Sequence, residues 1–298
     1  MSVYNVSGAS LASVYGVGGT SLPSAYDVDG EAVFSPNPLS IKVMTYNCGQ
    51  WLTGQGTGTS TEDTSAENHR ALLQSIITAQ DPDILCIQEY WDVIGSVTVT
   101  SLLGQYFPYI QEVNGETTYF GHAVCSKYPI TNFVTSALSN SPSFEPVGQS
   151  TNTGRFIDRC NITIDGRTLT VFNTHFDLST SARANNTDWL LPLMRAQQNV
   201  IACGDYNTAC NTVNDPDYGG VIYKFLYNGY HCANCSSFGF INTWTDSSSD
   251  LTTGETCDNI VTSANISIDD VYIDSTKLTD GLSEKIDHVP LIAELTVY

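Results

Sequence analysis

The chain has 298 residues, 41% of them hydrophobic, and its 31 Asp and Glu outnumber 11 Lys and Arg, which gives a formal net charge of −20. This length suits one large domain with a short appendage. The excess of acid argues against a dedicated nucleic-acid-binding module, because clamping a polyanion requires many cations. It does not exclude a nuclease, since a bound divalent cation can supply positive charge at the phosphate.

The segment after Met1 is polar and has neither the basic start nor the apolar core of a signal peptide. The chain also lacks an uninterrupted apolar run of about 18 residues, the length that a membrane-spanning helix requires. We therefore expect no transmembrane segment and a cytoplasmic or particle-associated protein. The Cys count is odd, at 9. We expect buried, reduced thiols, because disulfide frameworks mark small secreted domains.

Three similar units stand at the start of the chain. Val3 to Ser13, Val14 to Ser24 and Ala25 to Ser35 read VYNVSGASLAS, VYGVGGTSLPS and AYDVDGEAVFS. Each unit has Tyr second and Gly sixth, a pattern that favours short strands around a turn. We predict that residues 1–35 form a small β-rich repeat appendage. The appendage either packs on the main domain or mediates attachment or assembly.

A linker rich in Pro follows the repeats, and the catalytic domain is predicted to occupy residues 36–298. Residues 41–47 alternate as a strand, the apolar positions between 72 and 77 form one helical face, and residues 83–88 read as a buried strand. A strand, a helix and a strand in this order indicate a right-handed parallel crossover. That connection would bring Asn47 and Glu89 to the same sheet edge.

The second half of the domain mixes hairpins and crossovers. Phe156 to Ile164 and Arg167 to Asn173 flank the hairpin signal Asp165-Gly166. Residues 188–195 are predicted to be helical, residues 200–203 to form a strand, and residues 289–297 to form the last strand. This mixture predicts two packed sheets flanked by helices.

Six probable strands end on Asn, Asp, Glu or His, which is typical of an active site built from the ends of many strands. The segments are Thr45-Tyr46-Asn47, Gln88-Glu89, Asn173-Thr174-His175, Gly204-Asp205-Tyr206-Asn207, Cys257-Asp258-Asn259-Ile260 and Ile286-Asp287-His288. Their oxygen donors suit Mg²⁺ or Mn²⁺, and the two His suit proton transfer or stabilisation of an oxyanion. The set as a whole indicates phosphoester hydrolysis.

At these residues the chain resembles the endonuclease/exonuclease/phosphatase superfamily. The segments VMTYN, DILCIQE, YFGHAVCSKYPI, FNTHFD, IACGDYN, CDNIVTS and IDHVPLIAEL occur in the family's order. The resemblance covers about residues 39–298. It implies an α/β fold, a four-layered α/β/β/α sandwich of two mixed sheets flanked by helices, with the site at one end of both sheets.

The resemblance also implies roles for individual residues. Glu89 would be the principal ligand of Mg²⁺ or Mn²⁺, with Asn47 and Asp287 near the cation. Asp205 would orient or deprotonate the attacking water, and Asn207 would hold the phosphate. Glu89 and Asp205 are carboxylates in different surroundings, so one can bind the metal while the other acts as the general base.

Two His residues complete the implied site. His288 would donate to a nonbridging phosphate oxygen, with Asp258 orienting its ring, although Asp269 lies in a similar hydrophobic pattern and is the alternative. His175 would contact the same phosphate or assist the leaving group. In-line attack places negative charge on the equatorial oxygens, which a cation and an imidazolium stabilise.

The leading hypothesis is a Mg²⁺-dependent phosphodiesterase or endonuclease, with DNA slightly ahead of a lipid or small-molecule substrate. Deoxyribonuclease-like members of the family place an Arg two residues after the Glu, where this chain has Tyr90-Trp91. A sphingomyelinase-like or phosphoinositide-type hydrolase is therefore the alternative. An inactive binding module of the same fold is the alternative of another class.

A zinc site is a further alternative, because His231, Cys232 and Cys235 lie close together in sequence, with Cys210 upstream. The group lacks a second ligand pair at a convincing spacing, which disfavours zinc. His122 has no partner pattern and is expected to be structural or exposed. It stands where members of the family commonly have Asn.

Overall fold

The protein is described here by a computed structural model. It describes residues 25–26, 32–34, 38–49, 63–90, 98–113, 121–137, 155–235, 237–244, 251–276 and 287–298. Most of the repeats and the linker lie outside these residues. Within the third repeat unit, β1 (Ala25–Tyr26) pairs antiparallel with β2 (Ala32–Phe34). The appendage and the domain boundary remain predictions.

The remaining strands are β3 (Leu39–Asn47), β4 (Ile84–Tyr90), β5 (Tyr109–Val113), β6 (Gly121–Ser126), β7 (Ile130–Ala137), β8 (Phe156–Ile164), β9 (Arg167–His175), β10 (Val200–Asp205), β11 (His231–Cys232), β12 (Asp258–Thr262), β13 (Ile266–Ile273) and β14 (Leu291–Val297). The helices are α1 (Asp63–Gln80), α2 (Val99–Leu103), α3 (Thr180–Arg195) and α4 (Tyr223–Tyr227). A π-helical turn over Tyr218–Ile222 leads into α4, and a 3₁₀ turn covers Leu251–Thr253.

Twelve of these strands form two six-stranded sheets. Sheet A has the order β11-β12-β10-β9-β8-β7, and sheet B has the order β13-β14-β3-β4-β6-β5. In each sheet one central pair is parallel, β9 with β10 and β3 with β4, and the other pairs are antiparallel. Both sheets are therefore mixed, as the sequence predicts.

The two sheets pack face to face, and helices cover their outer faces. Val43 and Cys86 of sheet B share one buried cluster with Val171 and Cys203 of sheet A. A second cluster joins α1 and α2 to the outer face of sheet B, and a third joins α3 and α4 to the outer face of sheet A. The predicted four-layered α/β/β/α sandwich is confirmed.

Three local details refine the sequence prediction. Asp165 and Gly166 have φ of 49° and 79°, so both central residues of the β8–β9 turn are left-handed, as a tight hairpin requires. Helix α3 begins at Thr180 rather than near residue 188, because Ser179 caps it by accepting a hydrogen bond from Ala182 N at 3.3 Å. The last strand begins at Leu291, after Pro290, which has no N–H to donate.

All nine Cys are buried and none forms a disulfide, as predicted. No helix among the described residues is long and apolar enough to cross a membrane. Because β3, β4, β9 and β10 run in matching directions, their carboxyl ends lie at one end of the sandwich, here called the site end. The antiparallel strands β6, β8, β12 and β14 begin there.

Candidate active site

Asn47 connects the two sheets at the site end. Its Nδ2 donates to Asp205 Oδ2 at 2.8 Å, and its Oδ1 accepts from Gly49 N at 2.9 Å. The same Nδ2 lies 3.4 Å from His288 Nε2. Asn47 is only 1% exposed, so its amide is held in one orientation between a carboxylate, an imidazole and a backbone N–H.

Glu89 lies at an irregularity in β4. The pairing with β6 shifts between Ile87 and Tyr90, and Glu89 has a φ of 55°. The other residues with positive φ, apart from Gly, are Asn or Asp, which tolerate this conformation more easily than Glu does. Bulges and left-handed residues concentrate at functional sites, where they redirect a side chain. Here the bulge presents the carboxylate at the site end.

The three residues expected to hold a metal come together. Burial raises the pKa of Glu89, the negative charge of Asp287 raises it further, and a hydrogen bond from Asn47 opposes both. Two carboxylates that repel each other beside an amide form the hard oxygen set that Mg²⁺ or Mn²⁺ prefers. The described residues contain no group of three or more His, Cys, Asp or Glu that could hold a metal ion.

Asp205 is the most constrained carboxylate of the site. Its Oδ1 accepts from Asn207 N at 2.7 Å, and its Oδ2 lies 3.3 Å from His175 Nε2 and 3.7 Å from His288 Nε2. Burial raises the pKa of Asp205 to about 7, against the opposing positive charge of His288. A carboxylate with this pKa can accept a proton from water near neutral pH.

The two residues next to Asp205 require special backbone conformations. Gly204 has a φ of 153°, and a Cβ at this position would meet Thr174 O at 2.0 Å. Only Gly therefore lets β10 approach β9 this closely. Asn207 has a φ of 50°, and its Nδ2 donates to Phe176 O at 2.8 Å. The Gly-Asp-Tyr-Asn segment is thus held against the end of β9.

His288 and Asp258 form a buried pair, with His288 Nδ1 at 2.8 Å from Asp258 Oδ2. Burial opposes protonation of His288, but the carboxylates of Asp258 and Asp205 outweigh it and raise its pKa to about 10. His288 is therefore an imidazolium at neutral pH. Asp269, the alternative partner, is exposed and accepts from Thr296 Oγ1 at 2.6 Å, so it lies away from the ring.

Arg155, which the sequence analysis missed, contacts His175. The guanidinium Nη1 of Arg155 donates to His175 Nε2, since a guanidinium has no acceptor. Burial, followed by the positive charge of Arg155, lowers the pKa of His175 well below its usual value. His175 is therefore neutral and orients Arg155. The charge of Arg155 acts on both Asp205 and Glu89.

A buried network of amides lies beneath these residues. Gln88 Nε2 donates to Asn173 Oδ1 at 2.7 Å, and Asn173 Nδ2 donates to Ile87 O at 3.0 Å and to Ala123 O at 3.1 Å. Gln88 precedes Glu89, and Asn173 lies two residues before His175 on the other sheet. The network therefore fixes the distance between the Glu89 side and the His175 side of the site.

His122 lies at the bottom of the site and is 1% exposed, so it is buried rather than exposed. Its Nδ1 is 3.3 Å from Asp158 Oδ2, and its ring centroid is 6.4 Å from that of His175. Asp158 Oδ1 accepts from Thr135 Oγ1 at 2.7 Å. His122 and Asp158 thus lie beside the ring of His175.

Trp244 was also missed by the sequence analysis. Its Nε1 donates to Asp287 Oδ2 at 3.0 Å, and its backbone pairs with that of His288. A Trp next to a Thr carries no local signal for this contact. Arg155 did carry a local sequence signal, because it is a cation directly before a strand in a chain with only 11 Lys and Arg.

The alternative zinc group does not form a site. Among the described residues no three His, Cys, Asp or Glu are placed to bind a metal. His231 is exposed, and Cys235 Sγ donates to Cys232 O at 3.0 Å within the core. Cys210 belongs to the same apolar cluster as Cys232 and Cys235.

Solved structures with the same fold were found at low sequence identity. An endonuclease/exonuclease/phosphatase from Bacteroides vulgatus has a TM-score of 0.65 and 16% identity, over 87% of this chain and 100% of that chain. Truncated TDP2 from Caenorhabditis elegans has a TM-score of 0.59 and 18% identity, over 86% and 97% of the two chains. The 3′ phosphatase NExo from Neisseria, bound to a product DNA hairpin, has a TM-score of 0.57 and 18% identity, over 85% and 98%.

At these identities the structural similarity shows the fold. No curated protein matches the sequence at a significant level. The model of the Endonuclease/Exonuclease/phosphatase family matches residues 44–280, which is most of the chain and spans most of the residues that meet at the site end. The chain therefore belongs to the endonuclease/exonuclease/phosphatase family, whose members are hydrolytic phosphoesterases.

Proposed function

We propose that this protein is a Mg²⁺- or Mn²⁺-dependent phosphodiesterase in which an activated water attacks phosphorus in line with the leaving group. The observation that carries the proposal is the arrangement of Asp205 between Asn47, His175 and His288, with contacts of 2.8, 3.3 and 3.7 Å. It places a carboxylate whose pKa is about 7 beside an imidazolium and a guanidinium. Such a set can take a proton from water while positive charge stabilises the phosphate oxygens.

Each residue has a defined task in this proposal. Asp205 orients the water and accepts its proton, and Asn207 holds Asp205 through its backbone N–H and binds the phosphate. His288, anchored by Asp258, donates Nε2–H to a nonbridging oxygen, and Arg155 neutralises charge that develops on the same group. His175 accepts a hydrogen bond from Arg155 and orients it, so His175 acts on the phosphate only indirectly.

Glu89, Asn47 and Asp287 would hold the divalent cation. When bound, the cation supplies Lewis-acid stabilisation of the phosphate oxygens. The backbone bulge places Glu89 at the site end, and the hydrogen bond from Trp244 holds Asp287. Asn47 also donates to Asp205, so the residues that would hold the cation are linked directly to the base.

DNA is the first substrate class to consider, because NExo, a 3′ phosphatase with the same fold, is bound to a product DNA hairpin. A sphingomyelinase-like or phosphoinositide-type substrate is the alternative. An inactive binding module is disfavoured because every implied carboxylate and His is present at the site end, where all but Asp287 are buried or half-buried. Attachment or assembly through the N-terminal repeats remains a separate prediction from the sequence.

The proposal is tested by the metal dependence of hydrolysis of bis(p-nitrophenyl) phosphate. Activity is expected with Mg²⁺ or Mn²⁺ and is expected to vanish in excess EDTA. Glu89→Gln should raise the Mg²⁺ concentration for half-maximal rate by at least about tenfold, the scale of losing a charged ligand. The matched control Glu294→Gln removes a 49%-exposed carboxylate that pairs with Lys42. It should leave the Mg²⁺ concentration for half-maximal rate unchanged. Undiminished hydrolysis in EDTA would overturn the proposal.

A further inference from the structure

The distribution of cations sets the site apart from a polynucleotide-binding groove. Among the Lys and Arg of the described residues, Arg155 is the one whose charge acts on both Glu89 and Asp205. Lys42 lies five residues before Asn47 on β3, about 16 Å along the strand. That distance is about two Debye lengths at physiological ionic strength. Lys127 and Arg167 also lie at the end of the sandwich opposite the site end, after β6 and at the start of β9.

Three other described cations pair with carboxylates. Arg183 Nη2 is 2.6 Å from Asp217 Oδ2, and Lys224 Nζ is 2.7 Å from Asp188 Oδ1. Lys127 Nζ, besides lying far from the site, is 2.8 Å from Asp81 Oδ1. A cation that pairs with its own carboxylate adds little attraction for a distant phosphate. Among the described residues, these three cations therefore leave little free positive charge for a flanking phosphate.

The connecting segments that join described elements at the site end have the same composition. Residues 50–62, 91–97, 114–120, 138–154 and 245–250 contain no Lys or Arg. The carboxylates in these segments are Glu62, Asp92, Glu116, Glu145, Asp246 and Asp250. Residues 277–286 contain Lys277 and Lys285, which are balanced by Asp280 and Glu284. By sequence, these segments therefore add more acidic than basic residues to the chain.

We infer that the site engages the scissile phosphate alone, and that its substrate is a small phosphodiester with uncharged or cationic ester groups rather than a polynucleotide. This inference rests on the proposed function and narrows its substrate. Binding of a polynucleotide gains affinity from each phosphate that Lys or Arg neutralises, and this gain falls as salt rises. Here the flanking phosphates would be repelled, so screening by salt should help rather than hinder a longer substrate.

A matched series of thymidine compounds tests the inference with the full-length protein in Mg²⁺. Thymidylyl-thymidine has one phosphodiester and no other phosphate. The same dinucleotide with phosphates at both ends, and a 20-residue thymidine oligomer, present the same linkage with flanking charges. We expect kcat/KM per linkage to be highest for thymidylyl-thymidine. Raising NaCl at constant Mg²⁺ should increase kcat/KM for the two charged compounds and leave thymidylyl-thymidine unchanged.

The opposite pattern separates the inference from the proposed function. A kcat/KM per linkage that is about tenfold higher for the oligomer, and that falls with salt, would overturn the inference and leave the phosphodiesterase intact. Lack of hydrolysis of all three compounds and of bis(p-nitrophenyl) phosphate would overturn both.

A charge variant gives an independent readout. Leu178 is 71% exposed and follows Asp177, whose charge acts on Arg155. Leu178→Lys should raise kcat/KM for the oligomer several-fold at low salt, whereas Leu178→Glu should not. Thymidylyl-thymidine should be hydrolysed equally by both variants. The control Tyr298→Lys adds the same charge at a 45%-exposed position beyond the far end of β14 and should have no effect. If kcat/KM for the oligomer did not depend on the charge at residue 178, the inference would be overturned.

Discussion

Asn47 Nδ2 donates to Asp205 Oδ2 at 2.8 Å, a hydrogen bond between residues 158 positions apart and between the two sheets. The bond joins a predicted metal ligand to the predicted base, so neither can move without the other. Because Asn47 Oδ1 is held by Gly49 N, the amide cannot flip without losing both contacts. The separation of the two halves of the site is therefore set by the packing of the sandwich.

Asp205→Asn should lower kcat by at least about a hundredfold, the scale of losing a general base. The amide can still accept from Asn207 N, so thermal stability should change little. The control Asp188→Asn removes a carboxylate that is 62% exposed and pairs with Lys224. Steady-state kinetics with bis(p-nitrophenyl) phosphate and thermal melts measure both effects. Near wild-type turnover of Asp205→Asn would exclude this residue as the base.

His288→Ala and Asp258→Asn should each lower kcat, the former by at least about a hundredfold. The double variant should be no slower than His288→Ala, because Asp258 acts through the ring that it orients. Asp269→Asn should leave kcat unchanged, since Asp269 contacts Ser267 and Thr296 instead. Independent, multiplying losses in the double variant would show that Asp258 has a separate role.

The strand-end residues could be predicted from sequence because a Glu, Asp or His directly after an apolar strand is unusual. Asp258 and Asp269 could not be separated in this way, since both follow the same hydrophobic pattern. Their difference is one of register: Asp258 lies opposite Asp205 in the β10–β12 pairing. The contact of Asn173 with Gln88 depends on how the two sheets pack, which no local pattern encodes. Arg155 carries a local signal as a cation directly before a strand, but its contact with His175 forms only when β8 and β9 pair.

Arg155→Met should lower kcat/KM by about a hundredfold or more, the scale of losing a preorganised electrostatic stabiliser. Arg155→Lys should restore part of the loss, because it keeps the charge but not the planar group that reaches His175. The inhibition constant of inorganic phosphate should rise in the same order, from wild type to Lys to Met. The control Arg195→Met removes an exposed cation at the end of α3. Equal phosphate inhibition in all four proteins would contradict a phosphate-binding role for Arg155.

Asp274 provides a prediction about pH and stability. Burial alone would raise the pKa of Asp274, but hydrogen bonds from Thr276 and from Gln80 Nε2, the latter at 2.9 Å, lower it below its usual value. A carboxylate with a lowered pKa stabilises the fold above its unfolded pKa, and this contribution is lost as pH falls through the folded pKa.

Asp274→Asn should therefore reduce the free energy of unfolding at pH 7 by about 1.5–3 kcal/mol, the range for hydrogen bonds to a charged group. The difference from wild type should shrink as the pH drops below about 4, the ordinary pKa of Asp. Urea unfolding at a series of pH values measures this, with the surface variant Asp188→Asn as the control. A difference that stays constant down to pH 2 would show that the charge of Asp274 is not responsible.

The N-terminal repeats are predicted to be separate from catalysis. Pro36 and Pro38 interrupt regular structure between the repeats and β3, and none of the residues that meet at the site end precedes Asn47. Deleting Met1 to Ser35 should leave kcat and KM for bis(p-nitrophenyl) phosphate unchanged, while any attachment to a surface or partner is lost. Circular dichroism of the truncated protein establishes that the domain still folds. If the truncated protein folded but no longer hydrolysed this small substrate, the repeats would belong to the active site and the domain boundary at residue 36 would be wrong.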